Sequence, residues 1–91
     1  MEPTARKIVF SGRVQGVGFR FTALNIANRC QLTGYVRNIP EGEVEMLAQG
    51  PAEMIDECTR DLQDSFVGSI SHIDIEEATP DPKFTDFRIT F

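Results

Sequence analysis

The sequence contains no tryptophan, one tyrosine, one histidine and two cysteines, and its basic residues are outnumbered by its acidic ones. Each shortage excludes something. Cys30 and Cys58 are the only thiols and no Cys-x-x-Cys occurs, so neither a disulfide-stapled scaffold nor a thiolate zinc site is indicated. Both cysteines fall at apolar positions of expected helices and read as buried thiols. His72 alternates with Asp74 and Glu76 on the polar side of an expected strand, where a solvated imidazole is the expectation and a catalytic one is not. Without clustered His, Cys or carboxylate spacings, no metal site is expected. Nine Lys and Arg against fourteen Asp and Glu leave a net charge of −5, which argues against nucleic acid or an anionic membrane as the main partner. No apolar run is long enough to span a bilayer, and Met1-Glu2-Pro3-Thr4 lacks the basic and apolar regions of a signal peptide. The expected location is cytoplasmic.

What the 91 residues do supply is one domain's worth of core, with 41% hydrophobic residues and no internal repeat. Residues 1–5 read as a loose tail. A first strand is expected over residues 6–11, with Ile8 and Phe10 on one face. A helix follows from Phe19 to Cys30, burying Phe19, Ala23, Ile26, Ala27 and Cys30 along one stripe. Strands over 33–39 and 43–49 form a hairpin about Glu41-Gly42, the second strand alternating Val44, Met46 and Ala48 against Glu43 and Glu45. Pro51 is expected at the first position of a second helix that buries Met54, Ile55, Cys58 and Leu62. A fourth strand spans 70–77, and Phe87, Ile89 and Phe91 alternate in a short terminal strand. This β-α-β-β-α-β order, plus the extra strand, predicts a ferredoxin-like α+β sandwich. It is an antiparallel sheet with two helices on one face and water on the other.

The chemistry concentrates in Gly12-Arg13-Val14-Gln15-Gly16-Val17-Gly18-Phe19-Arg20, between the first strand and the first helix. Glycines adopt φ > 0 without steric cost, so successive amides can curl toward one point. The first N–H groups of a helix lack intrahelical partners and carry the positive end of its dipole. Arg20 adds a planar, permanently charged fork. Together these read as an oxyanion cradle, best suited to phosphate. The first two strands are joined by a crossing helix and so run parallel, which brings their C-terminal ends to one edge of the sheet. Gly34, Val36 and Asn38 share the helix-covered face, so Asn38 points toward the start of the first helix. From spacing alone a second reading stays open, in which Asn38 braces the hairpin and Arg20 makes a surface ion pair. The glycine loop is neither a Walker A motif nor a dinucleotide fingerprint.

These two stretches resemble the acylphosphatase family. Residues 12–20 match its Gly-x-Val-Gln-Gly-Val-x-Phe-Arg pattern throughout, and Gly34-Tyr35-Val36-Arg37-Asn38, with Gly42, Val44 and Gly50, matches its second signature. Phe87-Arg88-Ile89 is similar to its last strand, and the likeness runs from about residue 6 onward. The resemblance implies hydrolysis of the carboxyl–phosphate anhydride of a small acyl phosphate, without metal or organic cofactor, by a cytosolic monomer. It also implies that Arg20 and the backbone amides of Gln15, Gly16, Val17, Gly18 and Phe19 bind phosphate, and that Asn38 positions the attacking water. Two departures stand out. Gln31 replaces a glycine usual after the first helix, and Glu41-Gly42 replaces the commoner Asp-Gly. Two rival readings are a non-catalytic anion-binding domain and the acylphosphatase-like domain of carbamoyl-transfer maturation proteins. No zinc-finger cysteines follow here, which disfavours the latter. RNA-recognition domains share the topology but need aromatics on the open face, which here carries Glu43, Glu45, His72, Asp74 and Glu76.

Overall fold

The computed structural model describes residues 3–91. Five strands, β1 (Thr4–Gly12), β2 (Thr33–Ile39), β3 (Glu43–Gly50), β4 (Ile70–Ala78) and β5 (Phe87–Ile89), form one sheet in the order β4-β1-β3-β2-β5. Helices α1 (Phe19–Arg29) and α2 (Ala52–Ser65) supply the crossovers. The first four strands pair antiparallel in the expected ferredoxin-like order, but β5 joins β2 in parallel, so the sheet is mixed. Parallel pairing at that edge follows from a return segment, 79–86, that carries the chain across before β5 begins.

Alternation sets the core. Ile8 and Phe10 of β1, Val36 of β2, and Val44, Met46 and Ala48 of β3 are buried together under Phe19, Ala23, Ile26 and Ala27 of α1 and Ile55, Cys58 and Leu62 of α2. Cys30 and Cys58 are both buried and free, and burial pushes the Cys58 thiol up to about 12. Ile73 is partly covered and Ile75 half exposed, because β4 lies at the sheet edge beyond the helices.

Several sequence expectations shift. β1 begins at Thr4, so Thr4 and Ala5 are not tail. Ala5 pairs with both Gln49 and Ala78 and is buried, while Met1 and Glu2 lie outside the described residues. Pro51 caps α2 from outside its first turn, its carbonyl accepting the N–H groups of Met54 and Ile55. The open face is drier than its charges suggest. Glu45 is buried beneath the Tyr35 hydroxyl and the Arg37 guanidinium, which donate to its carboxylate at 2.9 and 3.0 Å. Gln49, also buried, pairs through its amide with the backbone of Asp81 at 3.1 and 2.8 Å and straps the return segment over that face. A charged residue in an alternating strand signals an outward face, but not whether a distant loop will cover it.

The departure at Gln31 does not alter the end of α1. Gln31 itself takes φ 57, its N–H donating to Asn28 and that of Leu32 to Ala27, which is the Schellman pattern. A side chain in the left-handed region costs about 1 kcal/mol relative to glycine. Gln31→Gly, at an exposed position, is therefore expected to stabilise the fold by about 1 kcal/mol. Urea denaturation should show a raised midpoint at constant slope.

Candidate active site

Two hydrophobic pegs hold the glycine loop. Val14 is fully buried, and Phe19, at the first position of α1, sits between Phe10 at 5.0 Å and Phe66 at 4.8 Å, ring centroid to centroid. Burying an aromatic ring at that position fixes where the helix starts, and hence where its first amides point. Gly16 and Gly18 on the loop's exposed stretch have φ 76 and 78, with Val17 between them outside the left-handed region. Alternation of this kind turns successive N–H groups to one side. Gly18 is the N-cap of α1, no side chain caps the helix, and no acidic residue occupies its first turn. Its leading donors are thus left for something other than this chain's own side chains.

Opposite this helix end stands Asn38. The register aligns Asn38 with Val44 and Val44 with Phe10, one row across β2, β3 and β1 on the helix-covered face. Since Phe10 packs on Phe19, the row ends at the start of α1. Val14, Gly16, Gly18, Phe19, Arg20, Phe21 and Asn38 line a small cavity of about 110 Å³ there. Asn38 lines the cavity, and its Oδ1 is buried with no hydrogen-bond partner among the described residues. A buried acceptor left without a partner costs roughly 1–3 kcal/mol, and such atoms occur where a ligand or an ordered water completes a site.

The alternative of bland structural roles does not describe these side chains. Among the described residues Arg20 makes no ion pair; its guanidinium carbon lies 5.2 Å from the centre of the Phe91 ring. The hairpin is braced by Gln15, whose side-chain amide donates to the carbonyls of Ile39 at 3.0 Å and Glu43 at 2.9 Å. Of the residues expected at the site, Gly16, Gly18, Phe19, Arg20 and Asn38 therefore meet at one cavity. The Gln15 side chain faces the hairpin, and Val17 projects half exposed. Sequence reasoning gave no role to Val14 or Phe21, which also line the cavity. Val14 carried a signal in being the one apolar residue between Gly12 and Gly16; Phe21 carried one in falling off the buried stripe of α1.

Two larger hollows, about 340 and 380 Å³, flank the segment that leads into β5. The cations at the second, Lys83 and Arg88, are engaged by Asp81 and Asp86 at 3.8 and 3.0 Å. A cation with no carboxylate partner among the described residues and free helix-end amides occur together only at the smaller cavity among these three.

The chain is similar to known proteins over nearly its whole length. The sequence model of the acylphosphatase family matches residues 6–89. An acylphosphatase of Chlorobaculum tepidum is 40% identical over 83 residues, covering 90% of each chain. One of Alcanivorax borkumensis is 37% identical over 91 residues, covering 96% of this chain and 99% of its own. The crystal structure of acylphosphatase from Bacillus subtilis superposes with a TM-score of 0.89 at 30% identity, over 97% of this chain and 99% of that one. Agreement in sequence, length and backbone over nearly the whole fold leads to one conclusion: this chain belongs to the acylphosphatase family.

Proposed function

We propose that the cavity between α1 and β2 holds the phosphoryl group of an acyl phosphate and directs water onto it, releasing a carboxylate and inorganic phosphate. The observation that carries this reading is that Asn38, whose buried Oδ1 has no partner among the described residues, lines the same cavity as Arg20 and an uncapped helix N-terminus. Backbone amides from Gln15 to Phe19 and the Arg20 guanidinium would meet the phosphoryl oxygens. Phosphoryl transfer calls for charge stabilisation and in-line positioning more than covalent chemistry. Fixed donors of this kind act most strongly as charge builds in the transition state. Asn38 Oδ1 would accept a hydrogen bond from the attacking water and aim its lone pair at phosphorus. The P–O bond to the acyl group breaks, the carboxylate leaves with the bonding pair, and the water proton passes to a phosphoryl oxygen. A carboxylate leaves readily, so no strong general acid is needed. The lining residues include no carboxylate or histidine to serve as base, which favours the substrate's own oxygen in that role.

The test is phosphate release from acetyl phosphate and benzoyl phosphate. Turnover of both, unchanged by excess chelator because the guanidinium and amides carry the electrostatic work, is the expected result. A protein that binds inorganic phosphate at the loop amides but hydrolyses neither compound would instead be the anion-binding domain. We further read the protein as a cytoplasmic monomer. Free buried thiols suit a reducing compartment. Edge strand β4 carries Asp74, Glu76 and Glu77, charges that oppose strand-to-strand association with a second copy.

A further inference from the structure

Among the described residues five large hydrophobic side chains are exposed, Val17, Phe21, Val67, Ile75 and Phe91. One of them lines the cavity and two lie next to residues that do. Phe21 lines the cavity yet is 69% exposed, Val17 is 50% exposed between two cavity-lining glycines, and the Phe91 ring lies beside the Arg20 guanidinium. The core does not require Phe21, since α1 buries Phe19, Ala23, Ile26 and Ala27 on its other side. A phenylalanine left in water at the rim of a polar cavity offers apolar surface to whatever occupies that cavity.

The polarity of the lining decides which part of the substrate meets this rim. The cavity, about 110 Å³, is the smallest of the three hollows, and its polar groups, Arg20, Asn38 and the loop amides, suit a phosphoryl group. With phosphorus held at the loop amides, the acyl group must project past Phe21 and Val17. Resting on the acyl-phosphate reading above, we infer that Phe21, aided by Val17 and Phe91, is the specificity-determining contact for the acyl group. It favours bulky apolar and aromatic acyl phosphates over acetyl phosphate and over acyl groups bearing a second carboxylate. An aromatic acyl group gains by covering exposed aliphatic and aromatic surface, whereas a carboxylate pressed against the same surface loses hydration without gaining a partner.

Phosphonates, whose P–C bond does not hydrolyse, test this without relying on turnover. Calorimetric titration should show benzylphosphonate binding about tenfold tighter than methylphosphonate, and that ratio should fall to about twofold in Phe21→Ala. Phe21→Leu should keep most of the preference, and Ile75→Thr, on the distant edge strand, should keep all of it. The ratio of kcat/KM for benzoyl phosphate to that for acetyl phosphate should fall in parallel with Phe21→Ala. Equal affinity of the two phosphonates for the unaltered protein, or a ratio insensitive to Phe21→Ala, overturns the rim assignment while leaving the phosphoryl site standing. Failure of inorganic phosphate and of both phosphonates to bind at the loop amides overturns the phosphoryl site, and the rim with it.

Discussion

Arg20→Lys is expected to lower kcat/KM for any acyl phosphate by roughly 10²–10³-fold, about 3–4 kcal/mol of transition-state stabilisation. Lysine keeps the positive charge, so the loss isolates what the planar fork contributes. A guanidinium can meet two phosphoryl oxygens at once from fixed directions, while an ammonium is a point charge on a flexible stem. The effect should be large here because Arg20 is not engaged by a carboxylate among the described residues; its charge is available to a ligand. Phosphate affinity should fall less than kcat, since the helix-end amides stay in place. Added guanidinium should restore part of the rate to Arg20→Ala. Near-normal turnover by Arg20→Lys would remove Arg20 from the proposed chemistry.

Asn38→Ala is expected to separate catalysis from both binding and stability. If the carboxamide orients water, kcat should fall by about 10²–10³-fold while competitive inhibition by inorganic phosphate changes only a few-fold. Stability should change little. The buried Oδ1 bonds no other group among the described residues, so the substitution breaks no internal hydrogen bond of that oxygen, and the variant's melting temperature should stay close to that of the unaltered protein. A residue bracing the hairpin would give the opposite pattern, with lower stability and little effect on turnover. That bracing role falls to Gln15, which spans to the carbonyls of Ile39 and Glu43. Equal losses in kcat and phosphate affinity would make Asn38 a substrate-binding group.

Much of this arrangement could be read from local pattern. The loop glycines at positions 16 and 18 take the left-handed conformation the motif asks for. Period-two alternation sets the faces of β1, β2 and β3, and the parity of β2 puts Asn38 on the face that carries the start of α1. What local pattern could not register was coverage by distant chain. Glu45 and Gln49 look solvated in a strand, yet are buried through Tyr35, Arg37 and the backbone of Asp81. Ala5 looks like tail and is buried by pairing on both sides. Gln31 looks like a broken cap, but the hydrogen bonds of the Schellman turn hold it in place.

The order of elements and the family were determined by sequence alone, because each depends on residue type and on spacing along a single strand, turn or helix. Tertiary structure decided which polar atoms were left without partners. Only once Phe19 is locked between Phe10 and Phe66, and Gln15 is committed to the hairpin, do Arg20 and Asn38 line one small cavity. Whether a hydrogen-bonding group is satisfied depends on every element packed around it, so chemistry of this kind is settled by the fold and not by the motif.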